Sequence, residues 1–87
     1  MKVAVWDTYV TKKDGSEMHF DILAPDTITA LETIYGFGRD YLMSKKQESS
    51  TLSSKECNFC HIAQATPAVE QAINAKGYYI IEMEGCN

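Results

Sequence analysis

The 87-residue sequence lacks the features that would indicate a membrane protein, an exported protein or a nucleic-acid-binding protein. No apolar run is close to the length of a membrane-spanning helix, which is about 20 residues. The amino terminus, MKVAVWDTYV, has none of the basic region, apolar core and cleavage site of a secretory signal, so we expect a cytoplasmic protein. Basic residues cluster only at Lys12-Lys13 and Lys45-Lys46, and the formal charge of -4 argues against nucleic acid as a partner.

Cysteines are also few, and their number is odd. Three cysteines in a cytoplasmic chain indicate reduced thiols, metal ligands or redox groups more readily than a disulfide framework. Apolar residues, in contrast, are plentiful, because hydrophobic side chains make up 45% of the sequence and no tract has low complexity. The length predicts one small domain, residues 1–87, with a single modest core.

Alternating apolar residues predict a β-hairpin over residues 2–23. Asp14-Gly15 is typical of a two-residue turn, because a tight reversal needs positive φ angles. Counting from such a turn pairs Val10 with His19 and Asp7 with Ile22. The core face of the hairpin would then consist of Val3, Val5, Asp7, Tyr9, Met18, Phe20 and Ile22.

Two helices are predicted after the hairpin. The first begins at Pro25-Asp26-Thr27 and carries apolar residues at helical spacing, while Gly36 and Gly38 within it indicate a kink or a close approach to a strand. The second begins at Thr66-Pro67 and ends at Gly77.

Two further strands complete the predicted fold, a short one over residues 50–55, around Thr51 and Leu52, and a last one over residues 78–84. The resulting order, ββαβαβ, predicts a two-layer α+β domain with about four mostly antiparallel strands and two helices on one face. If residues 50–55 form a strand, the connection to the last strand has the length of a right-handed strand–helix–strand unit with parallel strands. That arrangement would bring Cys57 and Cys60 close to Cys86, whereas an antiparallel one would separate them by the length of a strand, about 17 to 20 Å.

Four separated segments, VWDTYV, DGSEMHFD, ECNFCH and GYYIIEMEGC, resemble the small bacterial domains grouped as DUF2024, a domain family of unknown function. The resemblance covers most of the chain and includes both of its ends. It implies a compact single α/β domain and brings no known substrate, cofactor or catalytic residue.

The segment CNFCH, residues 57–61, has the clearest chemical potential. Its spacing matches c-type haem attachment, but the chain has no export signal and little room to enclose a haem. A thioredoxin-like pair needs its first cysteine at a helix amino terminus, whereas the predicted helix begins nine residues after Cys57. A more modest thiol role for the segment stays open.

Zinc is the sharper hypothesis for this segment. Structural zinc takes four ligands, and the sequence offers Cys57, Cys60, Cys86 and either His61 or His19. The competing interpretation is that the cysteines pack as small hydrophobic residues beside Phe59.

A second group of candidates lies on the hairpin. His19 and Asp21 are two residues apart on the face predicted to oppose the core, and a carboxylate beside a histidine can serve acid–base chemistry. No nucleophile is identifiable beside them, and exposed polar alternation on a hairpin explains the same residues. Asp7, on the predicted core face, needs hydrogen-bonding partners, so we expect it at the edge of its strand.

The face opposite the core also predicts an apolar patch that the helices leave uncovered. Aromatic anchors in such a patch are typical of a surface for a homodimer or another protein partner. The alternative is that the first helix or a loop covers this face. The residues of the patch are Trp6, Val10, Leu23, Tyr78 and Ile80.

The sequence therefore favours a binding or interaction domain over an enzyme. Its first candidate site is the metal or thiol set Cys57, Cys60, His61 and Cys86, with zinc as the cofactor to test. The alternative is a homodimeric or protein-partner module in which the cysteines are only structural.

Overall fold

A computed structural model describes residues 1–48 and 52–86. The elements are β1 (Lys2–Thr11), β2 (Glu17–Pro25), α1 (Leu31–Ser44), β3 (Cys57–Gln64), α2 (Pro67–Lys76) and β4 (Tyr79–Glu84). The four strands form one antiparallel sheet in the order β3-β1-β2-β4. The predicted α+β class and the order ββαβαβ are confirmed. Among the described residues, no helix is both long enough and apolar enough to span a bilayer.

The hairpin between β1 and β2 has a three-residue loop, not the predicted two-residue turn. The Gly15 amide donates to the Lys12 carbonyl, and Gly15 alone in this loop has a positive φ, of 89°. This is a type I turn followed by a glycine bulge. The extra loop residue shifts the register by one, so Tyr9 pairs with His19 and Asp7 with Asp21.

The shifted register exchanges the faces of β2 relative to β1, because successive side chains of a strand point to opposite sides. Trp6 and Val10 now share a face with Phe20 and Ile22, where they pack with α1. The predicted core face, which combined Val3 and Val5 with the even-numbered side chains of β2, is therefore wrong.

The two helices pack on different faces of the sheet, and not on one face as predicted. α1 joins the cluster that contains Phe20 and Ile22, whereas Val69 and Ile73 of α2 join Val3, Val5 and Leu23. Val3, Ala4 and Val5 are consecutive and all buried. Consecutive buried residues in a strand mean that both of its faces are covered.

The helix boundaries follow local sequence signals. α1 begins at Leu31, later than predicted, because Pro25 still belongs to β2. Gly38 lies where α1 approaches the sheet most closely, since a Cβ atom there would come within 3.1 Å of Ile22 Cδ1 and would overlap Leu52. The predicted close approach is confirmed. The predicted limits of α2 are also confirmed, with Thr66 accepting from the Val69 amide at 3.3 Å and Gly77 in the left-handed region.

The third strand is not where the sequence pattern placed it. Thr51 lies outside the described residues, residues 52–56 form no strand, and β3 begins at Cys57. β3 and β4 are the two opposite edges of the sheet and run antiparallel to each other. The predicted parallel crossover is therefore wrong.

Candidate functional site

The CNFCH segment lies within edge strand β3. Cys57 is buried in the core beside α1, whereas Cys60 is exposed. Val5 pairs with His61 and Trp6 with Phe59, so Cys60 is the extra residue of a β-bulge. Burial raises the pKa of the Cys57 thiol, which disfavours the thiolate that a metal or a redox reaction needs.

Cys86 lies at the opposite edge of the sheet from this segment. It follows β4, and its thiol donates to the His19 carbonyl at 3.3 Å. Two strands lie between β3 and β4, so these two edge strands are three strand spacings, or about 14 Å, apart. A zinc site formed by Cys57, Cys60, His61 and Cys86 is therefore not supported. The one close contact within the set joins neighbours, His61 Nδ1 and Cys60 Sγ, at 3.2 Å.

The predicted apolar patch is largely covered by α1. Val10 and Tyr78 are buried, and Trp6 and Ile80 are partly buried against the same core. Leu23 lies on the opposite face, under α2. The alternative considered from the sequence, that the first helix covers this face, is the one that the structure has.

The hairpin register instead brings three other candidates together. Asp7 and Asp21 are directly paired across β1 and β2, and His19, one pair further along on the same face, completes the group. The distance from His19 Nε2 to Asp7 Oδ1 is 2.6 Å, and to Asp21 Oδ1 it is 3.8 Å. Within the described ranges, this is the only group of three or more His, Cys, Asp or Glu side chains whose ligand atoms lie within 4.8 Å of one another. We call it the His–Asp cluster.

Two contacts fix the histidine in the His–Asp cluster. The Tyr9 ring stacks on the His19 ring, with 4.0 Å between centroids and 11° between planes. Asp7 Oδ1, on the neighbouring strand β1, is hydrogen-bonded to His19 Nε2. Asp7 is therefore in the middle of a strand with an imidazole as its partner, and not at a strand edge as predicted.

Asp21 is the least satisfied member of the cluster. Its Oδ1 atom is buried and has no hydrogen-bond partner. Burial, followed by the hydrogen bond and the charge of Asp7, raises the pKa of Asp21, while His19 and His61 act in the opposite direction. The unpaired buried oxygen and the adjacent carboxylate both disfavour the ionised form.

The cluster lies in the part of its sheet face that α2 leaves open. α2 packs over Val3, Val5 and Leu23, nearer the other end of the strands. The exposed fractions of the side chains are 38% for Asp7 and 18% for His19 and Asp21. Water and small ions can therefore reach the cluster. Two cavities lie elsewhere, one of about 430 Å³ between α1 and β4 and one of about 320 Å³ between α1 and the end of α2.

Sequence reasoning named all three cluster residues but did not group them. The two-residue turn placed Asp7 on one face and His19 and Asp21 on the other. The residues Lys13-Asp14-Gly15 fit a three-residue loop ending in a left-handed glycine equally well, and that loop places all three on one face.

Comparison with known proteins identifies one family and one solved structure. The family model described as Domain of unknown function (DUF2024) matches residues 1–83. The NMR structure of protein NE1680 from Nitrosomonas europaea, a target of the Northeast Structural Genomics Consortium, has 41% identity and a TM-score of 0.85. The match covers 100% of both chains. No curated protein matches the chain.

Proposed function

The chain belongs to the DUF2024 family, a family of unknown function, and from that premise we propose that the domain binds a divalent metal ion at the His–Asp cluster. The observation that carries the proposal is the convergence of Asp7, His19 and Asp21 on one accessible point of the sheet. The proposal replaces the cysteine-based site.

The spacing of the ligand atoms fits one ion after a small adjustment. Nitrogen and oxygen ligands bind such ions at about 2.0 to 2.2 Å, so two ligands of one ion are separated by at most about 4.4 Å. The His19 to Asp21 distance of 3.8 Å is within this limit. The shorter His19 to Asp7 distance of 2.6 Å is a hydrogen bond, which the ion would replace.

The electrostatics of the cluster also favour a cation. Like charges directly opposite each other on two strands destabilise a sheet, and Asp7 and Asp21 are such a pair. A bound cation would neutralise both carboxylates and give the buried Asp21 Oδ1 atom the partner that it lacks.

The donor set indicates the class of ion. Imidazole with carboxylates suits Mn²⁺, Fe²⁺ and Zn²⁺, whereas Ca²⁺ and Mg²⁺ prefer oxygen ligands alone. Three side-chain ligands leave coordination positions for water or for a small ligand.

We include a cytoplasmic location in the proposal, because the three cysteines are free and thiols stay reduced in that compartment.

Isothermal titration calorimetry of the metal-free protein with Mn²⁺, and separately with Zn²⁺, tests the proposal. We expect one site per chain and a loss of affinity of about tenfold or more in Asp21→Asn and in His19→Gln. Asp26→Asn is the matched control, because it makes the same chemical change at an exposed position outside the cluster. Its affinity should equal that of the wild type.

Cys60→Ser separates this proposal from a thiol site. Cys60 is the exposed cysteine, and it does not belong to the His–Asp cluster. Retained binding in Cys60→Ser together with loss in Asp21→Asn supports the proposal. The reverse pattern, or no binding of either ion to the wild type, contradicts it.

A further inference from the structure

The outer edge of β3 is unusually open for an edge strand. β3 pairs with β1 on one side only, and no strand of the described residues lies on its other side. A strand edge with unpaired backbone groups is a template for another strand, and proteins protect such edges with charged side chains, proline or β-bulges. The bulge at Cys60 is the one of these features that β3 has. Over its eight residues, CNFCHIAQ, β3 has no lysine, arginine, acidic residue or proline.

We propose that β3 is a homodimer interface, at which β3 of a second copy of this chain pairs antiparallel across a two-fold axis and joins two sheets into one of eight strands. The partner is a second copy because the edge is complementary to itself. In an interface with two-fold symmetry the same surface serves both copies.

The two exposed apolar side chains of β3 define the register. Phe59 is 53% exposed and Ile62 is 46% exposed. They pair with Trp6 and Ala4 of β1 and therefore lie on the same face, because the bulge at Cys60 adds one residue between them. An axis between Cys60 and His61 would set Phe59 of each copy against Ile62 of the other, so each exposed apolar side chain would cover the other.

Charge distinguishes this edge from the opposite one. The chain has a formal charge of -4, so the repulsion between two copies is smallest where they meet at a neutral surface. β4 carries Glu82 and Glu84, which self-pairing of that edge would bring together. β3 has no lysine, arginine or acidic residue, and its exposed Phe59 ring lies 5.6 Å, between centroids, from the partly buried Trp6 ring of β1, which adds apolar area next to the strand.

Sedimentation velocity over a dilution series tests the proposal on the complete chain. We expect a reversible dimer, and we expect Ile62→Lys to raise its dissociation constant about tenfold or more, because a lysine on the edge opposes strand pairing. Met83→Lys is the matched control, since Met83 is 52% exposed on the opposite edge strand. It should leave the dissociation constant unchanged.

Three outcomes contradict the proposal: a wild type that stays monomeric at the highest soluble concentration, a dimer that Ile62→Lys leaves intact, and a dimer that Met83→Lys disrupts instead. If Ile62→Lys does not fold, amide hydrogen exchange of the wild type tests the proposal instead. Amides of β3 that do not pair with β1 should be protected in concentrated samples and exchange faster after dilution. Protection that is independent of concentration overturns the assignment of β3.

Discussion

At the scale of single residues, Asp21 is a carboxylate that the native fold satisfies incompletely. Its pKa is raised, and one of its oxygens is buried without a partner. A structural role alone would favour a neutral side chain at this position, because a buried carboxylate costs free energy unless it is paired. The same property makes Asp21 a suitable ligand, since metal binding would convert an unfavourable charge into a favourable contact.

Asp21→Asn should therefore stabilise the metal-free protein at neutral pH. The raised native pKa lies above the unfolded value of about 3.9, so the native state loses stability as pH rises from that value through the native pKa. Asparagine cannot ionise and avoids the loss, which we expect to be up to about 1 kcal/mol. Urea unfolding at neutral pH and at pH below the unfolded value measures the effect.

The extra stability of Asp21→Asn should disappear at pH values below the unfolded pKa, where Asp21 of the wild type is protonated in both the native and the unfolded state. Saturating Mn²⁺ should reverse the order at neutral pH, because the ion stabilises the wild type more than the weaker-binding variant. A destabilised Asp21→Asn at neutral pH without metal would show that the carboxylate has a structural partner that this account omits.

At the scale of elements, the loop between β1 and β2 determines whether the cluster exists. A two-residue loop separates Asp7 from His19 and Asp21, whereas the observed three-residue loop places all three on one face. The residues Lys13-Asp14-Gly15 are compatible with both loops, so local sequence could not decide between them. The existence of the hairpin was predictable from alternation, but its register depended on one residue of loop length.

The two glycines of α1 give a test at the same scale. Gly38→Ala should destabilise the protein by about 1 to 3 kcal/mol, because the added methyl group would overlap Leu52 and press on Ile22. Gly36→Ala is the control within the same helix. Its Cβ atom would meet only Arg39 Nη2 at an ordinary 3.8 Å, so the better helix former should stabilise by about 0.5 to 1 kcal/mol.

Thermal or urea unfolding of the two variants checks this pair. Equal effects from both substitutions would mean that the approach of α1 to β2 and Leu52 is looser than described. A stabilising Gly38→Ala would contradict the packing directly.

At the scale of the whole molecule, the sequence predicted the class, the element order and α2 correctly, and failed where a choice depended on distant contacts. The consecutive buried residues Val3, Ala4 and Val5 were the local sign of a sheet covered on both faces. The cysteine-based zinc site is not supported, because its third thiol depended on which strands are neighbours. β3 and β4 follow each other around α2, yet lie at opposite edges.

The proposed metal site and the proposed dimer interface lie in separate regions of the same sheet. The His–Asp cluster lies on β1 and β2 in the centre, and the dimer interface lies along β3 at one edge. Each can be removed by a substitution that leaves the other in place, Asp21→Asn for the ion and Ile62→Lys for the dimer. The failure of one proposal would therefore not decide the other.

The most direct test of the central claim is paramagnetic broadening by Mn²⁺ in the amide NMR spectrum of the protein. Substoichiometric Mn²⁺ broadens an amide signal more strongly the closer that amide lies to the bound ion. We expect the amides of Asp7, His19 and Asp21 to broaden first, and we expect Asp21→Asn to weaken this broadening at the same Mn²⁺ concentration. Broadening centred on Cys60 and His61, or uniform broadening without a centre, would contradict a metal site at the His–Asp cluster.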